Sequence, residues 1–83
     1  MMTLEETKDL MCSPDYKERF KAEYYQLKIR YVKLKAMCEK WDKGELNFTP
    51  TCPIWIYSIQ LRAMQDYLSI LEARAEIEGV ELE

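Results

Sequence analysis

Two stretches free of glycine and proline, each with apolar residues at alternating steps of three and four, constrain the fold of this 83-residue chain most strongly. The apolar positions of the first stretch are Phe20, Tyr24, Leu27, Tyr31, Leu34, Cys38 and Trp41. Those of the second are Ile54, Tyr57, Leu61, Met64, Leu68, Leu71 and Ala75. Because this spacing is typical of the seam between packed helices, it predicts two long α-helices that face each other.

Capping residues, prolines and glycines mark the ends of these two helices. The expected N-caps are Ser13 before Pro14 and Thr51 or Cys52 before Pro53, and the expected stops are Gly44 and Gly79. Thr3-Leu4-Glu5-Glu6 has the form of a capping box and predicts a short helix that ends near Met11. We expect one helical-hairpin domain, 1–83, with an N-terminal segment at 1–12, helix 1 at 13–43, a loop at 44–52, helix 2 at 53–79 and a tail at 80–83.

The predicted fold is therefore all-α: an antiparallel two-helix hairpin with a short N-terminal helix. Trp41 and Phe48 are expected to close the bend.

A second apolar stripe lies outside the hairpin seam. On helix 2 it comprises Ile56, Ile59, Ala63, Tyr67, Ile70 and Ile77, and on helix 1 Tyr25, Ile29, Val32 and Met37. Burying one Ile or Tyr is worth about 1.5–3 kcal/mol, so we expect this surface to be covered. We predict self-association into a homo-oligomeric helical bundle through the helix 2 residues. Coverage by the N-terminal segment and binding of a foreign partner are the alternatives.

The first helix carries a basic region. Residues 24–38 contain four basic residues and no acidic one. One interpretation is an anion or nucleotide site, in which cations meet phosphates and a tyrosine stacks on a base. Its residues would be Tyr24, Tyr25, Lys28, Arg30, Lys33 and Lys35. The alternative is that the basic helix faces acidic residues of the second helix, such as Glu72, and fixes the pairing of the two helices.

The composition excludes several classes of function. The chain has no His, which removes the commonest general base and the commonest zinc ligand. Its two Gly are too few for a glycine-rich phosphate loop, and its three Cys lack CxxC spacing. We expect no enzymatic activity, no cofactor and no metal. A net charge of −3 gives no reason to expect binding to duplex DNA. With no signal peptide and no apolar run long enough to span a membrane, we expect a soluble intracellular protein.

A set of core and turn residues runs through the bend and the second helix: Trp41-Asp42-Lys43-Gly44, Leu46, Phe48, Pro50, Cys52-Pro53, Gln60-Leu61-Arg62-Ala63-Met64, Tyr67-Leu68 and the run from Ile70 to Ile77. In these residues the chain resembles a family of small helical proteins from crAss-like phages and from other phages and prophages of gut bacteria. The resemblance spans about residues 15–80 and transfers no functional residue.

The resemblance implies a phage or prophage product that acts in the cytoplasm of a bacterial host. Small phage proteins without enzymatic chemistry often act by binding, and two hypotheses follow. One is antagonism of a bacterial defence system, either by sequestering a nucleotide second messenger between helices of a homo-oligomer or by blocking a host defence protein. The other is a structural or assembly accessory role through protein–protein contacts.

Overall fold

A computed structural model describes residues 2–82, and these residues form three helices and no strand. The helices are α1 (Thr7–Met11), α2 (Tyr16–Asp42) and α3 (Ile54–Glu78). The predicted all-helical fold is therefore confirmed. Met1 and Glu83, the outer residues of the expected N-terminal segment and tail, lie outside the described residues. No helix among residues 2–82 is long and apolar enough to cross a membrane.

Helices α2 and α3 form the antiparallel hairpin. At the open end the Lys17 ammonium donates to the Gly79 carbonyl at 3.3 Å, and near the bend the Trp41 and Tyr57 rings meet edge to face at 6.3 Å. The core lies toward the open end, where both chain ends fold onto it. Its buried residues are Phe20, Tyr24, Tyr25, Leu68, Leu71, Ala75 and Val80, and Met2 and Leu82 pack against them.

The short helix α1 packs against α2, on a part of the α2 surface that α3 does not cover. Glu6 N–H donates to Thr3 Oγ1 at 3.2 Å, as expected of the capping box, although the helix itself begins at Thr7. Buried Thr7 accepts a hydrogen bond from the Gln26 amide, and Ile29 on the same side of α2 is 4% exposed. Ile29 is thus covered within the described chain, whereas Val32 remains 42% exposed.

The two expected N-caps are wrong. Asp15 caps α2, because its carboxylate accepts a hydrogen bond from the Lys17 N–H at 3.0 Å. The Ser13 hydroxyl accepts a hydrogen bond from the Asp15 N–H, which lies before the helix. A carboxylate also suits the positive end of the helix dipole. For α3 the N-cap position is Pro53, which has an extended backbone and no side-chain cap.

Both predicted glycine stops are confirmed. Gly44 and Gly79 have φ values of +69° and +71°, which favour glycine over residues with a Cβ. Glu45 N–H then bonds the Lys40 carbonyl at 2.9 Å, and Val80 N–H bonds the Ala75 carbonyl at 2.8 Å. These bonds satisfy carbonyls at the two helix ends and turn the chain back onto the helix it has left.

Candidate ligand-binding site

The structure places two of the six predicted site residues, Tyr24 and Tyr25, in the core. Tyr24 is 4% exposed, its hydroxyl donates to Glu72 Oε2 at 3.0 Å, and its ring packs edge to face on Tyr25 at 5.5 Å. Burial, followed by the hydrogen bond to Glu72 and the Glu72 charge, raises the pKa of Tyr24 to about 12. Tyr25 is 6% exposed. Neither placement suits stacking on a base.

The four basic residues of the predicted site point to different sides of α2. Lys28 and Lys35 are seven residues apart and share one edge, where the Lys35 ammonium lies 5.9 Å from the centre of the Tyr31 ring. Arg30 follows Lys28 by two residues, which places it about 200° further round the helix. Lys33 lines a separate cleft beside the bend. The four cations therefore do not form one site.

The alternative interpretation, in which α2 cations pair with acidic residues of α3, has no support in the part of the chain that the structure describes. The single ion pair among the described residues joins Arg74 Nε to Glu78 Oε2 at 2.9 Å, and both residues belong to α3. Glu72 does face α2, as expected, but its partner there is the Tyr24 hydroxyl and not a basic side chain. No acidic side chain among the described residues therefore forms an ion pair with a basic residue of α2.

A cleft of about 400 Å³ opens where the three helices meet, and we call it the arginine cleft. Four of its residues follow one edge of α2 at steps of four, three and four: Arg19, Glu23, Gln26 and Arg30. The other lining residues are Leu27 of α2, Tyr67 of α3 and Met11 of α1. Such a volume is within the range of small-molecule pockets, about 300–1,000 Å³.

Most polar groups of the arginine cleft already have a partner. The Tyr67 hydroxyl donates to the Glu23 carboxylate, and this bond, with burial and the Glu23 charge, raises the pKa of Tyr67. Arg19 Nη1 donates to the Ser13 carbonyl at 2.7 Å.

Arg30 is exposed like these groups, and its guanidinium forms no ion pair with any described residue. A guanidinium in that state can offer two parallel N–H bonds to a phosphate or carboxylate.

The ligand site predicted from the sequence includes Arg30 but not Arg19 or Gln26. That prediction rests on a linear run of bases, whereas these three residues share a helix edge that also includes the acidic Glu23. The signal was present in the steps of four, three and four, which place side chains on one side of a helix.

A row of exposed apolar side chains on α3 adjoins the arginine cleft, and we call it the α3 stripe. It consists of the residues predicted to form an oligomer interface: Ile56, Ile59, Ala63, Tyr67, Ile70 and Ile77. Ile59 is 60% exposed, Ile70 58% and Ile77 83%, so no other described part of the chain covers them. Tyr67 belongs to both the stripe and the cleft.

These features define a small all-helical protein whose polar chemistry lies in open clefts between and beside the helices. The chain belongs to the Sequestin family, whose profile matches residues 14–77, from just before α2 almost to the end of α3. The family name is consistent with a sequestering function, and it suggests a binding protein rather than a catalytic one. Neither a curated protein nor a solved structure matches the chain.

Proposed function

We propose that this protein sequesters a phosphorylated nucleotide signal without chemical change, and that the arginine cleft is its binding site. The observation that carries the proposal is the exposed Arg30 guanidinium, which has no carboxylate partner among the described residues and lies in a cleft of ligand size that Arg19 also lines. The Sequestin name supports the sequestering role. The biological role that we propose is antagonism of a bacterial defence system by a phage or prophage product in the host cytoplasm.

The cleft offers complementary groups for each part of such a ligand. The Arg30 guanidinium would bind the phosphate, for which a planar fork of N–H donors is well suited. Arg19, about 16.5 Å from it along the axis of α2, would contact a different part of the ligand. Leu27 and Met11 provide apolar surface for a base, and the Tyr67 ring lies at the α3 side. Glu23, which lines the same cleft, would repel a phosphate placed next to it, so the phosphate is expected nearer Arg30 than Tyr67.

We further propose that the protein is a homo-oligomer held together by the α3 stripe. Burial of one exposed isoleucine contributes about 1.5–3 kcal/mol, and several lie on this one face. The same stripe is the observation that favours the second candidate function, protein–protein contact with a host defence protein or in phage assembly. Because Tyr67 lies in both surfaces, a second copy on the stripe would approach the mouth of the arginine cleft.

Thermal unfolding with cyclic nucleotides and ADP-ribose derivatives tests the nucleotide proposal. A ligand at one hundred times its Kd stabilises the folded state by about 2.7 kcal/mol. For a domain of this size that corresponds to a rise in Tm of roughly 10–20 °C. Absence of a shift for every compound would contradict nucleotide sequestration.

Matched variants then locate the ligand. Arg30→Ala should abolish most of the shift, whereas Lys28→Ala, which removes a cation on the far side of α2, should leave it unchanged. Equal losses in both variants would mean that the ligand responds to overall charge and not to this cleft. Heating the complex and recovering the ligand intact would distinguish sequestration from hydrolysis.

Light scattering tests the oligomer. We expect a mass that is a multiple of 10.0 kDa at micromolar concentration. Ile70→Asp should reduce it to that of the monomer, whereas Gln65→Asp, on a different face of α3, should not. A wild-type mass of 10.0 kDa would contradict self-association, and an unchanged mass in Ile70→Asp would exclude the stripe as its interface.

A further inference from the structure

A second cleft, of about 380 Å³, lies beside the bend on the side of α2 away from α3, and we call it the bend cleft. Its lining residues are Lys33, Ala36, Met37 and Lys40 from α2 and Glu45, Leu46, Asn47 and Phe48 from the connector. The connector reaches this position because Gly44 takes a left-handed backbone and Glu45 N–H bonds the Lys40 carbonyl. The bend thus turns the chain back along the last two turns of α2.

Phe48 does not close the bend as expected. Trp41 does so by packing on Tyr57, whereas the Phe48 ring is 54% exposed at the edge of the bend cleft. An aromatic ring held at the surface of a cleft offers a face on which a planar group can stack, and base–aromatic stacking is a strong contribution to nucleotide binding.

The charged groups of the bend cleft favour an anion. Lys33 and Lys40 are seven residues apart, so both lie on the cleft side of α2, about 10.5 Å apart along its axis. Neither lysine forms an ion pair with any residue in the range 2–82, and they outnumber the single acid, Glu45. Asn47 adds an amide that can both donate to and accept from a polar ring edge.

We propose that the bend cleft is a second binding site and that its ligand is a nucleoside monophosphate unit. The base stacks on Phe48, its edge bonds Asn47, and the phosphate is held by Lys40 with Lys33 further along the helix. This site shares no residue with the arginine cleft and does not depend on the function proposed for that cleft. Such a unit can arrive as a free nucleotide or within a single strand of nucleic acid.

Titration calorimetry with AMP, backed by NMR shifts of the amides at 45–48, tests the proposal. Phe48→Ala should weaken AMP binding about 5- to 150-fold, the range measured for loss of base stacking. Phe48→Tyr keeps the ring and should retain affinity. Lys40→Ala should weaken binding about 12-fold, the low end for a hydrogen bond to a charged group at an exposed position, whereas Lys28→Ala and Arg30→Ala should leave it unchanged.

Three results would overturn the proposal. They are no saturable AMP binding at millimolar concentration, equal affinity in Phe48→Ala and the wild type, and adenosine binding as tightly as AMP. The Arg30→Ala variant separates this site from the arginine cleft, since failure at one cleft leaves the other measurable. A single-stranded hexa-adenylate distinguishes the two sources, because tighter binding than AMP, again lost in Phe48→Ala, would assign the site to single strands.

Discussion

The hydrogen bond from Tyr24 to Glu72 links the core to the surface of the hairpin, and Tyr24→Phe removes it while keeping the ring. The donor is almost fully buried, and the acceptor is an exposed carboxylate at 3.0 Å. A hydrogen bond to a charged group contributes about 1.5–3 kcal/mol. Because Glu72 can return to water when the hydroxyl is lost, we expect the low end, about 1.5 kcal/mol, as the loss at pH 8.

Burial of Tyr24, together with the same bond and the Glu72 charge, makes folding stability depend on alkaline pH. The pKa of Tyr24 rises from an ordinary 10.0 to about 12 in the folded chain. Between these pH values the unfolded chain releases the phenolic proton and the folded chain keeps it, so the folded state binds more protons and its stability falls as pH rises. Two pH units correspond to about 2.7 kcal/mol, fully present below pH 10 and lost by pH 12.

Urea denaturation followed by circular dichroism at pH 8, 10 and 12 measures both effects. The free energy of unfolding of the wild type should fall more than that of Tyr24→Phe between pH 10 and 12, because the variant lacks this phenol. Tyr16→Phe, which changes a 48% exposed ring, is the control and should behave as the wild type. Parallel alkaline losses in the wild type and Tyr24→Phe would refute the reasoning.

Three further changes test the packing and the helix ends. Leu71→Ala should cost about 2–5 kcal/mol in urea denaturation because Leu71 is 0% exposed, and a cost as small as that of Ile59→Ala, at a 60% exposed site, would contradict the described core. Gly79→Ala should cost about 1–2 kcal/mol because φ is +71°, and an unchanged urea midpoint would argue against the left-handed turn. Gln26→Ala removes the hydrogen bond to Thr7, so amide exchange should accelerate in α1 while α3 is unaffected; unchanged exchange in α1 would show that apolar packing alone holds it.

The local sequence was sufficient to predict the two long helices and the glycines at which they end. Steps of three and four place side chains on one side of a helix whatever the rest of the chain does, and a glycine with positive φ ends a helix through its own backbone. The N-caps were predicted less well, because Asp15 and Ser13 are both capping residues and only the path of the chain decides which one accepts the Lys17 N–H.

The predicted ligand site was derived from a linear run of residues, and the folded chain does not keep that run on one surface. Burial in the core removed Tyr24 and Tyr25 from the surface, and the helical turn separated Lys28 from Arg30. The arginine cleft needs residues from three helices, and no pattern within one segment brings Met11 and Tyr67 together.

The sequence by itself determined an all-helical hairpin, because periodicity, proline and glycine act through local geometry. The tertiary structure alone decided which surfaces remain for function. It buried Ile29 but left the α3 stripe uncovered, and it turned the connector back so that Phe48 borders a cleft instead of closing the bend. Those outcomes depend on contacts between segments distant in the chain, for which spacing along one helix carries no information.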